Sequence, residues 1–179
     1  MSATNKLFDH VIHIPIFAML GVIMYISDIL MEFLPNIHIV GVLTVVYTIV
    51  YRSRALIPIY IYVLLNGLFS GFHYWWLGYL YIWTILWGLV MLVPRKLPSM
   101  PRYVIYTVLC TLHGLSFGLL YAPVQMFYNS DIRYIISWWS WGFITADIWH
   151  GIGNCIFGIL LILPLSRLLI KLEGNMKIE

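Results

Sequence analysis

Six long apolar segments, separated by short polar or proline- and glycine-bearing stretches, set the rhythm of this chain. They cover about 11–33, 37–50, 55–70, 75–93, 103–127 and 135–165. A helix that crosses a bilayer needs about 20 apolar residues, so each segment reads as one crossing. The second and third are short and need a locally thinned bilayer or close neighbours. Pro35-Asn36, Arg52-Ser53-Arg54, Ser70-Gly71 and Asn129-Ser130-Asp131 punctuate the segments, and the stretch Pro94 to Arg102 is expected to form a basic loop. The first ten residues are polar, and no small-residue cleavage site follows the first apolar stretch. That stretch is therefore expected to be a retained helix and not a signal peptide. With no internal repeat or low-complexity tract, the expectation is one six-helix membrane domain over 1–179.

Composition removes the soluble alternatives. Of 179 residues, 62% are hydrophobic and only 9% charged, against about 45–50% and 25% in soluble domains. A water-facing surface would need more charge than this chain contains. The same figures argue against a disordered chain and a nucleic-acid binder. Cys110 and Cys155 lie inside apolar runs without paired spacing, so a disulfide scaffold is not expected either. Charge then orients the helices. With the N-terminus inside, Lys6, Arg52, Arg54, Arg95, Lys96, Arg102, Arg167, Lys171 and Lys177 all fall on the cytoplasmic side, and only Arg133 falls outside. An odd number of crossings would misplace the basic C-terminus. The expected fold class is an all-α integral membrane protein with six transmembrane helices and both termini cytoplasmic.

This topology gathers unusual side chains at the outer end. His73, Tyr74, Trp75 and Trp76 lie there with Tyr79 and Tyr81 a turn further in, opposite Tyr121, Gln125, Tyr128, Trp138, Trp139 and Trp141. Glu32, Asn36 and His38 line the first outer turn. An interfacial belt would place aromatics equally at both ends. Rings crowded at one end, with a few amides and imidazoles, suit a pocket for a flat, partly polar molecule. Asp147 is the deepest acid, and at 100° per residue it shares a helix face with Gly151, Asn154 and Gly158, with His150 beside them. A stripe of this kind must point into the bundle, either as a functional group or as interhelical hydrogen bonding. Asp28 and Glu32 are expected to be solvated or snorkelling. Gly114, Gly118 and Ala122 recur every fourth position, as a close-packing face does, and Ala18 with Gly21 forms a looser version.

Gly114-Leu115-Ser116-Phe117-Gly118 also matches the G-x-S-x-G serine pattern, with His150 on the next helix. That nucleophile needs a strand-to-helix elbow, whereas this stretch is expected to be helical and its glycines already have a packing role. No metal site is expected, because Asp147, His150 and His113 lack a completing carboxylate, and His10, His13 and His38 are scattered.

The run from Gly142 to Asn154 (with Asp147, His150 and Asn154), followed by Pro164-Leu165, resembles the closing helix of S components of energy-coupling factor (ECF) transporters. Further echoes are Leu34 to His38, Arg54 to Tyr60, Tyr79 to Trp83, and Leu112-His113-Gly114 with Phe117-Gly118. The resemblance covers nearly the whole chain. It implies a vitamin- or micronutrient-binding subunit in the bacterial cytoplasmic membrane, without cofactor or nucleic acid, docked on a transmembrane coupling protein (T component) and two cytoplasmic ATPases. It further implies a pocket at the outer ends of helices four to six and the outer loops, and a docking patch on the first helix, here Ala18, Gly21 and Val22. The chain has no P-loop pattern, so ATP hydrolysis would belong to its partners.

The leading expectation is thus a substrate-binding subunit and not an enzyme. Its candidate binding residues are Asn36, His38, His73, Tyr74, Trp75, Trp76, Tyr79, Tyr121, Gln125, Trp138, Trp139, Trp141, Asp147 and His150. The alternatives are a rhomboid-like intramembrane serine hydrolase using Ser116 and His150, and a small assembly protein with no ligand. The orientation has a direct check. A Lys96→Cys variant should react with a membrane-impermeant maleimide only after the cytoplasmic face is opened, and reaction in intact cells would invert the topology.

Overall fold

The computed structural model describes the backbone of residues 3–176 and the side chains of residues 13–174; the side chains of Lys6 and His10, and all of Lys177, lie outside the described residues. Within it every regular element is helical. The helices are α1 (Ala3–Leu30), α2 (Val40–Tyr51), α3 (Leu56–Ser70), α4 (Trp76–Leu92), α5 (Ser99–Leu115), α6 (Phe117–Tyr128), α7 (Ile132–Gly142) and α8 (Ile148–Met176). A 3-10 turn, Arg52–Ala55, joins α2 to α3, and a wider π-type turn, Phe143–Asp147, joins α7 to α8. By length and composition four helical stretches are long and apolar enough to cross a membrane: His13–Leu30, Val40–Ser70, Ser99–Tyr128 and Ile132–Gly174, the last three each interrupted by a turn or joint; Trp76–Leu92 is apolar but shorter.

Side-chain pairings give each stretch its direction. Tyr47 donates to the Leu20 carbonyl and Tyr51 meets the Phe17 ring edge-on, so α2 runs against α1. Asp28 is bonded by Tyr62 and Asn66, while Gly21 lies under Pro58 and Ile61, so α3 runs with α1. The stretch Val40–Ser70 therefore folds back on itself. Its reversal is at Arg52, which takes a left-handed φ of 56°. Trp87 donates to the Arg52 carbonyl at 3.0 Å, and the guanidinium donates to the Met91 carbonyl at 3.0 Å. These two bonds strap the corner to α4 and offset the strain of a non-glycine residue in that region. α4 runs against α3 through Tyr60 and Trp76, α5–α6 against α4 through His113 and Tyr81, and α7–α8 against both through Tyr121–Trp138 and Asn154–Cys110. The result is six helical passes of alternating direction.

His13 near the start of the described side chains donates to Glu173 near their end at 2.9 Å, so these two parts of α1 and α8 meet at one end of the bundle. Arg52, Arg54, Arg95, Lys96, Arg102, Arg167 and Lys171 share that end, and Arg133 stands at the other.

The tightest seam joins α5–α6 to α8. A side chain on Gly114 would meet the His150 backbone at 2.8 Å, one on Gly151 the Leu115 side chain, and one on Gly158 the Thr107 methyl at 3.1 Å. Asn154, buried at this seam, donates to the Cys110 carbonyl at 3.0 Å. The inward stripe of Asp147, Gly151, Asn154 and Gly158 thus packs as its spacing required. Cys110 is a buried free thiol and Cys155 a half-buried one.

Three expectations are corrected. The basic loop is shorter than 94–102, because α5 begins at Ser99 and Pro101 stands in its first turn, where a missing N–H costs little. Pro164-Leu165 does not end the last helix, which continues to Met176; a proline removes one bond, and the surrounding turns carry the helix past it. Ser116 is not within a helix but forms the joint between α5 and α6. Its hydroxyl donates back to the Leu112 carbonyl at 2.8 Å, which leaves it bound to its own turn.

Gly114→Ala should therefore cost about 1–3 kcal/mol through overpacking, seen as a lowered melting temperature in detergent. Gly88, with nothing within 4 Å of an added methyl, is the control, and Gly88→Ala should leave stability unchanged or raise it by about 0.5–1 kcal/mol.

Candidate functional site

At the end of the bundle opposite the basic residues lies a cavity of about 510 Å³, within the range of small-molecule pockets. Its walls come from the second half of α1, the α1–α2 connection, the C-terminal part of α3 and the start of α4, with Phe117 and His150 reaching in from α6 and α8. Two left-handed residues shape its rim. Asn36, with φ 62°, turns the α1–α2 connection and donates from Nδ2 to the Thr145 carbonyl at 3.2 Å, tying the rim to the π-type turn. Gly71, with φ 93°, allows α3 to reverse into α4.

One wall carries the polar groups. Asp28 and Glu32 are one turn apart on or just beyond α1 and both line the cavity. Tyr62 donates to Asp28 Oδ2 at 2.9 Å and Asn66 Nδ2 donates to the same oxygen at 3.2 Å, which fixes the carboxyl group and leaves Oδ1 uncommitted. The expectation that Asp28 is merely solvated or snorkelling is thus corrected, while Glu32 is exposed as expected. The apolar succession of α1 makes their position look interfacial, and only the parallel approach of α3 supplies Tyr62 and Asn66 as donors.

Beneath the cavity the rings form a connected floor. Trp83 is 2% exposed, and its ring lies 5.8 Å from Tyr79, 5.9 Å from Phe117, 6.0 Å from Tyr62 and 6.2 Å from His38. His150 packs 4.9 Å from both His38 and Phe117. The Nδ1 atoms of His38 and His150 are buried and have no partner within the protein. His113 donates to the Ile82 carbonyl at 3.0 Å and so braces the floor from below.

Five of the residues expected at a binding site meet here: Asn36, His38, Trp75, Tyr79 and His150. The others lie elsewhere, because the cavity opens on the side of α1 and α3 and not between passes four and six. Tyr121 is buried in the α4–α6 contact, and Gln125 is buried on α6 outside the cavity lining. Trp138 packs on Tyr121, and Trp139 on Phe143. Trp76 donates to the Val63 carbonyl at 2.8 Å and holds α4 to α3. Tyr74 is exposed and stacks on Tyr128, His73 is exposed beside Gly71, and Trp141 is 69% exposed. Asp147 is 1% exposed and faces α6, where its Oδ1 accepts from the Gly118 N–H at 2.9 Å. It caps the start of α6 from another helix, and the negative group lies at the positive end of that helix's dipole. Of the expected docking patch, Ala18 and Val22 are exposed, but Gly21 is covered by Ile61 and Pro58 of α3.

Sequence reasoning passed over Asp28, Asn66, Tyr25 and Phe117 as cavity residues. The acidic pair four residues apart and an asparagine inside an apolar segment were the available signals. Among the described residues no group of three His, Cys, Asp or Glu side chains could hold a metal ion. The chain matches no protein-family model, no curated protein and no solved structure. What fold and site define is thus a class: a protein whose described residues form membrane-length apolar helices, with a ring-floored cavity near one end of the bundle.

Asp147→Ala should cost about 1–2 kcal/mol, as loss of a helix cap does. A lowered melting temperature with unchanged ligand binding would confirm that Asp147 braces the bundle.

Proposed function

We propose that this chain is the high-affinity substrate-binding subunit of an ECF-type importer for a vitamin or related micronutrient. In this reading the six alternating passes all cross the bacterial cell membrane, both termini are cytoplasmic, and the cavity faces outward. The observation that carries the reading is the cavity itself: about 510 Å³, floored by rings, and placed at the end of the bundle away from the basic residues. The positive-inside rule puts that end outside the cell. The resemblance of the Gly142–Asn154 stretch and of the shorter echoes to S components supports the same conclusion.

Energy would come from a coupling protein and two ATPases. Ala18 and Val22, exposed on α1 beside Ile14 and Ile26, offer an apolar helix face for a membrane partner, while Gly21 serves α3. Serine hydrolysis is disfavoured by the commitment of the Ser116 hydroxyl to Leu112.

Binding is measured by quenching of intrinsic tryptophan fluorescence, and partnership by co-purification with an ATPase module. Trp75→Ala should weaken binding about tenfold, the equivalent of about 1.4 kcal/mol and within what an aromatic contact contributes. Trp139→Ala, outside the cavity, should leave affinity unchanged. The reverse pattern would move the binding site to α7.

A further inference from the structure

We infer that the ligand of this cavity is an organic cation bearing a flat ring, its charge received by Asp28 and Glu32 and its ring by Trp75 and Tyr79. The inference rests on the proposed binding role and specifies its chemistry.

The cavity is acidic in a chain that is otherwise basic. Two carboxyl groups line it and no Lys or Arg does, although the chain holds ten basic residues and only seven acidic ones. Asp28 and Glu32 lie four residues apart and so project from one side of the chain at adjacent turns. Asp28 is also built in place. Its Oδ2 holds both donors that α3 supplies, one of them the buried Asn66, and its other oxygen is open to a further donor. An anionic ligand would meet two like charges in a poorly screened recess, where Coulomb repulsion is several times stronger than in water.

A second, independent feature points to a ligand. His150 is 9% exposed, lines the cavity, and has an Nδ1 without a partner. Buried polar atoms are normally satisfied, and His38, which also lines the cavity, has an unpartnered Nδ1 as well, so two imidazoles of the lining carry ring nitrogens that no group of the protein satisfies. The ring lining also suits a cation. Tyr25, Trp75, Tyr79 and Phe117 line it with rings, and an aromatic ring attracts an ammonium or a positively charged heterocycle within about 6 Å of its face. A bare metal ion fits less well, since no three metal-type ligands converge among the described residues.

The test uses the full chain purified gently in detergent. Mass spectrometry identifies any small molecule retained, and tryptophan quenching measures three ring compounds that differ in charge: thiamin as the cation, riboflavin as the uncharged ring and folate as the anion. The expected result is a retained aromatic cation, or tightest binding of thiamin, with affinity reduced tenfold or more in both Asp28→Asn and Glu32→Gln. Asn at position 28 can still accept from Tyr62; should that variant not fold, the exposed Glu32 decides alone. A retained uncharged or anionic compound, or affinity indifferent to Glu32→Gln, overturns the charge assignment while the binding role stands. No retained compound together with no quenching by any of the three overturns the charge assignment and the binding role alike.

Discussion

The close approach of α8 to α5 and α6 is the constraint on which the rest of the structure depends. Between apolar helices in an apolar surrounding there is little hydrophobic drive to associate, so contact must come from packing and from polar groups that meet across the seam. Gly114, Gly151 and Gly158 remove the side chains that would keep the backbones apart. Asn154 and Asp147 then bridge the gap to the Cys110 carbonyl and the Gly118 N–H. At the Ser116 joint α6 begins, and the carboxyl group of Asp147 accepts from one of its freed N–H groups, that of Gly118. One seam therefore sets the pairing of these helices and caps the start of α6.

From that seam the cavity follows. Once α8 and α6 are set, His150 and Phe117 project beside Trp83, and the rings of α4 close a floor. The remaining wall is supplied by the other side of the bundle, where α3 runs parallel to α1 and hands Tyr62 and Asn66 to Asp28. That parallel pairing exists only because the chain turns back at Arg52, a corner held by two bonds to α4. Among the described residues the basic groups except Arg133 collect at the corner end, whereas Asp28 and Glu32 line the cavity at the other. The bundle is thus polarised along its length, and the proposed orientation in the membrane follows that polarity.

The proposed role draws on this polarity more than on any single residue. A recess floored by rings and walled by carboxyl groups recognises shape and charge together, the aromatic faces by dispersion and quadrupole and the acids by Coulomb attraction. In the proposed role these groups bind without reacting, and the one serine that matches a hydrolase pattern donates its hydroxyl to its own turn. Capture and release is the chemistry such a site can perform.

Read alone, the residues determined that the chain is helical and built for an apolar surrounding, because hydrophobic runs of bilayer length and the placement of charge between them are local properties. The inward stripe of Asp147, Gly151, Asn154 and Gly158 was legible for the same reason: helical periodicity assigns a face without knowledge of the partner. What only the tertiary structure decided is where a ligand would sit. Trp138, Trp139 and Trp141 share a chemistry with Trp75 and lie at the same end of the chain's passes, yet which rings converge depends on helix rotation and neighbour order, and neither is encoded in spacing along one segment. Asp28 shows the same limit, since its environment comes from residues more than thirty positions away, brought there by the turn at Arg52.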